Sequence, residues 1–221
     1  MTASLADVRR TSPICTPREV AIIANMPTNT VRSWMQPNRG SAAIVHSVTP
    51  QRSGWPTIPL VGVVETWSMR ALRNAGIPMQ KLRRAADDLR QTQGAFVLAR
   101  PVLFTDGIDL YLREHGDLYR IHDGQQPIEE VIRNYLSRVV LDDHEDPTAF
   151  CLPLDDGIQL VMDPLFNAGR PSLESTRTPA FAVLGALEAG EHPALIADDY
   201  SITIEEVAAI ERHREWLAEV A

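Results

Sequence analysis

TPREVAIIANMPTNTVRSW, residues 16–34, is the stretch on which the fold turns. Thr16 and Glu19 stand at capping-box spacing, so the Thr hydroxyl can accept the Glu19 amide while the Glu side chain reaches back. Pro17 falls at the first helical position, where its missing N–H costs nothing. A helix over 17–24 follows, with Val20, Ala21, Ile23 and Ala24 on or near its inner face. Asn25, Met26 and Pro27 break it. Thr28 caps a second helix over 29–35, which turns Val31 and Trp34 inward and stops at residues 37–40. Two short helices joined by a three-residue turn predict a helix–turn–helix.

The second helix of such a unit enters the major groove with its leading side chains at base edges. Here these are Thr28, Asn29, Thr30, Arg32 and Ser33. Arg is bidentate to guanine and Asn to adenine, while Arg18, Arg39 and Arg52 are candidates for phosphate contact. Charge agrees with that placement. Residues 1–100 hold thirteen Lys and Arg against five Asp and Glu; residues 101–221 hold eight Arg against twenty-four Asp and Glu. A basic half suits a phosphate backbone, and an acidic half suits a protein partner or solvent. The alternative is a helical hairpin that merely packs.

Outward from this core, residues 1–13 read as a loose arm. A strand over 43–48 and the Pro- and Gly-rich run to 58 suit a wing. Helices are expected over 59–75 and 78–92; the first has Val63, Val64, Trp67, Ala71 and Leu72 as its stripe, and the second has Leu82, Ala85, Ala86 and Leu89 on one face. Short strands are expected over 95–104, 107–113, 118–122, 139–141, 150–154 and 158–162, with a helix over 127–138 and a hairpin turn at 155–157. The end is helical again over 179–189, 193–199 and, from a second capping box at Thr203 and Glu206, onward to 220. The fold is therefore expected to be α+β. It has a winged helix–turn–helix over 1–93, a small mixed sheet with one helix over 94–158, and a helical region over 159–221.

Residues 16–34, with MRALRNAG (69–76) and IPMQKLR (77–83), resemble the opening of MerR-like winged helix–turn–helix domains. The likeness covers about 16–92. The run after residue 35 is longer and richer in proline than a MerR wing, and the clustered cysteines of the metal sensors in that family are missing, so metal sensing is not implied. In that family the counterpart of 78–92 leads to dimerisation. A second resemblance covers 158–221. LVMDP (160–164), GRP (169–171), STRTP (175–179), EAG (188–190) and IADDY (196–200) are similar in order and spacing to a domain of unknown function found in antitoxins. That family has Gly where this chain has Ser175. If the position takes positive φ, Ser175 strains the turn. The two together resemble VapB-type antitoxins, whose partners are VapC ribonucleases of the PIN class. The resemblance implies operator binding at the front, toxin neutralisation at the back, and autorepression. PIN nucleases hold divalent metal with carboxylates, and Arg170 and Arg177 are candidates to plug such a site through the planar guanidinium fork. The structural alternative pairs them with Asp163 or Glu174, or with helix-terminal carbonyls.

Other function classes are less well served. The chain, 221 residues with 44% apolar and 23% charged residues, is ordinary globular material. No apolar run approaches a membrane span and no signal-like segment opens the sequence, so a cytoplasmic protein is expected. GxSxG, P-loop and HExxH motifs are missing, and the six His show no helical pairing, so no enzyme, cofactor or metal is expected. Cys15 precedes a helix N-terminus, a place that can lower a thiol pKa, although a small hydrophobe is the plainer reading. The run Asp142–Asp146 reads as a solvated loop, and a hydrolase built on it is a third reading. The main alternative is a MerR-like regulator that senses a small molecule through 94–158. Paired half-sites make a homodimer the expected state.

Overall fold

A computed structural model describes residues 5–38, 40–74, 76–101, 137–155 and 157–220. The expected loose arm is instead helix α1 (Leu5–Thr11). Long-range ion pairs anchor it: Arg9 Nη2 lies 3.3 Å from the Asp163 carboxylate, and Arg10 meets Asp146. Strand β1 (Pro13–Cys15) follows and pairs antiparallel with β2 (Ile58–Pro59).

Helices α2 (Pro17–Ile23) and α3 (Thr28–Trp34) form as expected. The capping box closes in both directions: Glu19 N donates to Thr16 Oγ1 at 3.3 Å, and Thr16 N donates to Glu19 Oε2 at 2.6 Å. The cap of α3 is Pro27, not Thr28; Thr28 is already helical and no side chain caps it. No strand forms over 43–48. The segment 41–57 is an irregular loop, tied at its base by Val48 N donating to Thr57 O at 2.8 Å. Ile44 and Val45 are buried, and their amides both donate to Trp34 O, at 2.8 and 3.1 Å, the end of α3.

Helix α4 (Leu60–Asn74) is buried well beyond its expected stripe. Val63, Val64 and Leu72 are core, and so are Leu60, Val61 and Met69. Thr66 and Ser68 are buried too, and they return their hydroxyls to Gly62 O and Val64 O at 2.8 and 2.9 Å. Glu65 is fully buried and needs partners from outside the helix. It takes the His46 amide at 2.7 Å, lies 2.7 Å from His46 Nδ1, and receives Arg90 Nη2 at 2.9 Å. Arg90 belongs to α5 (Met79–Gln93) and also donates to Ala43 O and Ile44 O. On the same helix, Arg83 donates to Ser33 O and Ala42 O, and Asp87 accepts the Ala42 amide. These side chains give the loop the partners a strand ladder would otherwise supply.

Within the strand expected over 95–104, residues 97–99 form a buried 3₁₀ turn instead, and residues 102–104 lie outside the described residues. The strands expected over 107–113 and 118–122, and all but the last two residues of the helix over 127–138, lie outside the described residues. Strands β3 (Val139–Leu141), β4 (Pro147–Pro153) and β5 (Gln159–Met162) form, and β6 (Ser172–Leu173) completes a sheet in that order. Every described pairing is antiparallel rather than mixed; Gly157 takes φ 80° in the turn between β4 and β5. Then come α6 (Ala180–Glu188), α7 (Pro193–Asp199), α8 (Ile204–Arg212) and α9 (Arg214–Val220). The single helix expected from 204 to 220 breaks at His213, which is the C-cap of α8 and lies with its Nδ1 2.9 Å from Ala209 O.

One cluster of buried side chains runs from Ile14 to Val220, so the segments 1–93, 94–158 and 159–221 touch through a common core. Helix α9 packs on α2, and the turn Asn167–Gly169 packs on β1. Gly169 has φ 78°, and a Cβ there would overlap Ile14. Among the described residues, no helix is long and apolar enough to cross a membrane. Glu65→Gln removes the counter-charge from a buried guanidinium and is expected to cost about 3–5 kcal/mol. Urea denaturation measures this as a lower midpoint with unchanged slope; a loss below about 1 kcal/mol would mean that the carbonyls alone hold Arg90.

Candidate nucleic-acid interface and an arginine–aromatic face

Helix α3 divides cleanly. Val31 and Trp34 are buried, Asn29, Arg32 and Ser33 are exposed, and Thr28 and Thr30 are half-buried. The side chains of Asn29 and Arg32 have no polar partner among the described residues, and the back of the helix is fixed through Ser33 O and Trp34 O. The structure therefore brings these five candidates together on one short helix whose outer side is free of the described residues. The phosphate candidates are more scattered. Arg52 is exposed on the 41–57 loop, its guanidinium 5.3 Å from the ring centroid of the exposed Trp55. Arg18 is on α2 but is paired with Glu219 of α9 at 3.1 Å, with both side chains largely in solvent. Arg39 lies outside the described residues. Sequence reasoning passed over Arg84, which lines a polar cleft of about 410 Å³ with Asn38, Ser41, Gln80 and Arg83. The helix pattern around Arg84 gave no sign that α5 begins beside the end of α3.

At the other end, Arg170 and Arg177 are not paired with Asp163 or Glu174. Asp163 is taken by Arg9 and by the Leu165 amide. Each arginine lies over an exposed phenylalanine instead: Arg170 is 5.5 Å from the Phe181 centroid and Arg177 is 5.2 Å from that of Phe166. Such stacks orient a guanidinium without neutralising it. Arg177 Nη1 is enclosed with no hydrogen-bond partner among the described residues. The left-handed residue of the turn is Arg177, at φ 63°, so the strain expected at Ser175 falls two residues later. Ser175 uses its hydroxyl to donate to Glu206 Oε1 at 2.5 Å. Asn167 Nδ2 holds the turn by donating to Arg177 O at 2.9 Å, and Asn167, Ala168 and Gly169 are all left-handed. Phe166 and Phe181 were missed because one aromatic in a turn and one on a short helix make no periodic pattern.

The remaining candidates resolve into structure. Cys15 is buried, and burial, reinforced by the nearby Glu19 charge, pushes its thiol well up; burial also raises that of Cys151. Asp146 is not in a solvated loop but buried against Arg10 and Arg100. Asp142 is exposed, and its carboxylate accepts the amides of Asp146 and His144 at 3.0 and 2.9 Å, which holds its carboxyl below the usual range. Among the described residues, no group of three or more His, Cys, Asp or Glu is arranged to hold a metal ion.

Comparison with known proteins matches this geometry at both ends. Residues 13–86 match the family described as "Putative DNA-binding HTH domain", and residues 160–211 match the family described as "Protein of unknown function (DUF433)". The chain is 26% identical, over 89% of its length and 92% of the relative's, to the Mycobacterium tuberculosis protein named "Putative antitoxin VapB45". It is also similar to the crystal structure of Rv2018 from Mycobacterium tuberculosis, with TM-score 0.72 and 27% identity, covering 92% of this chain and 99% of that one. The resemblance to VapB-type antitoxins thus extends along most of the chain.

The depressed Asp142 carboxyl fixes the sign of one pH effect. A carboxylate favoured in the folded state adds stability above its ordinary range, and that stability is lost as pH falls through the depressed value. Asp142→Asn is therefore expected to lower the melting temperature at neutral pH and to flatten its decline below about pH 4. Thermal denaturation across that range measures both; parallel curves for the two proteins would remove the loop amides as the cause.

Proposed function

We propose that this chain is a VapB-type antitoxin. It binds operator DNA through α3 and neutralises a PIN-domain ribonuclease of the VapC class through its C-terminal half, and so represses its own operon. The observation that carries the reading is the likeness to VapB45 along 89% of the chain, with a DNA-binding family matched at the front. The geometry supports each part. At the front, Asn29 and Arg32 are exposed on a helix whose other face is fully engaged, which suits direct base readout. Arg52, Arg39 and Arg18 serve the phosphates, with Arg18 first leaving Glu219. The front is MerR-like, and α5 is the element through which two copies pair to read two half-sites.

At the back, a PIN nuclease needs carboxylates around its metal, and a guanidinium fork matches a carboxylate bidentately. Stacking on Phe166 and Phe181 holds Arg177 and Arg170 in place before the partner arrives, which lowers the ordering cost of association. The reading places the protein in the cytoplasm, and binding rather than catalysis is its activity.

Footprinting on the DNA upstream of the coding sequence tests the front. Arg32→Ala is expected to cost about 1–3 kcal/mol and relax specificity, and Arg52→Ala to weaken all sequences alike and lower the salt slope by about 1. No protection by folded protein at moderate salt would overturn operator binding. Inhibition of the neighbouring ribonuclease tests the back. Arg170→Ala and Arg177→Ala are expected to lose about 2–5 kcal/mol, mostly as faster dissociation, with near-native melting. Lower melting with unchanged inhibition would make both arginines structural.

A further inference from the structure

Helices α7 and α8 repeat the geometry of α2 and α3. In each pair the first helix is seven residues long with Pro at its first position, Pro17 or Pro193, and the second begins at Thr28 or Ile204, the same distance on. The turns make the same three backbone bonds. Ala24, Asn25 and Met26 donate to the carbonyls of Val20, Ile22 and Ala21; Tyr200, Ser201 and Ile202 donate to those of Ile196, Asp198 and Ala197. The turn residue is left-handed in both, Asn25 at φ 45° and Ser201 at φ 53°. The buried positions also correspond: Val20 with Ile196, Ala21 with Ala197, Val31 with Val207, and Trp34 with Ile210.

The outward surface does not correspond. Where the first unit has Thr28, Asn29 and Arg32, the second has Ile204, Glu205 and Ala208, and where the first has Arg18, the second has Ala194. The groups that donate to base edges or phosphates are replaced by aliphatic and acidic ones. Leu195 is 61% exposed and Ile204 54%, where most large aliphatics among the described residues are buried. Ile204 lines a groove of about 550 Å³ between α7 and α8, with Asp198 and Glu205 on its wall.

We infer that this second helix–turn–helix is a protein-docking surface, and that its occupant is a basic protein face carrying an aliphatic anchor. The inference rests on the antitoxin reading. A ribonuclease must present cationic side chains to its RNA backbone, and a groove walled by Asp198 and Glu205 is complementary to such a face, while it repels nucleic acid. The exposed Leu195 and Ile204 supply the apolar centre that a charged rim alone lacks. The surface thus covers part of the RNA path of the nuclease, beyond the carboxylates proposed for Arg170 and Arg177.

The test uses the full-length chain and the ribonuclease encoded beside it, titrated by calorimetry at two salt concentrations, with operator binding followed by gel shift. Leu195→Ser/Ile204→Ser is expected to weaken ribonuclease binding at least tenfold. Asp198→Asn/Glu205→Gln is expected to weaken it and to flatten its salt dependence. All four side chains are exposed or line an open groove, and circular dichroism confirms that each variant is folded. Operator binding is expected to be unchanged in both. If the unaltered chain does not bind the ribonuclease, the antitoxin reading falls and the inference with it. If it binds and both double variants bind equally well, the inference alone is overturned. If the variants lose operator DNA instead, the unit is a second DNA reader.

Discussion

A carboxylate with no access to water sits between the wing-like loop and the helix that backs it. Glu65 is tolerable there only because His46 and Arg90 converge on it from two different elements. That convergence fixes the loop: Arg90 continues to the carbonyls of Ala43 and Ile44, and the amides of Ile44 and Val45 reach back to Trp34, the last residue of α3. The orientation of α3 is thus set from behind, by a chain of bonds that starts at a buried charge. Apolar packing alone would leave α3 free to rock on Val31 and Trp34; the polar chain removes that freedom, which a base-reading surface requires.

The helices were legible because their start signals are local. Thr16 with Glu19 and Thr203 with Glu206 each announce a helix within four residues, and each closes as a reciprocal cap. What was not legible depends on distant partners. Residues 43–48 have strand-like side chains, yet Arg90 answers the carbonyls of Ala43 and Ile44 more than forty positions later, and the segment never pairs. Residues 5–11 have the composition of an arm, and become a helix because Asp146 and Asp163 wait for Arg10 and Arg9. The run 142–146 looked solvated for the same reason in reverse: nothing nearby shows that Asp146 faces two arginines.

The candidate sites show the same division. Asn29, Arg32 and Ser33 were readable from helical spacing alone, and they are exposed. Arg170 and Arg177 were singled out by resemblance, but the phenylalanines under them were not, since a stack between residues of a turn and a helix leaves no periodic trace. The doubled helix–turn–helix was hidden more deeply. Its two copies share little beyond Pro17 and Pro193, Ala21 and Ala197, and Val31 and Val207, and the likeness lies in backbone bonds and in which positions are buried.

The contact of α9 with α2 has a consequence during synthesis. Helix α2 emerges from the ribosome nearly two hundred residues ahead of residues 214–220, the helix that covers its flank. Strand β1 waits likewise for the turn at 167–169. A growing chain that already carries both helices of its basic unit therefore still has an open seam along that unit. The seam closes only when translation has passed through the acidic half, so a message read only part-way through yields a front end without its finished packing.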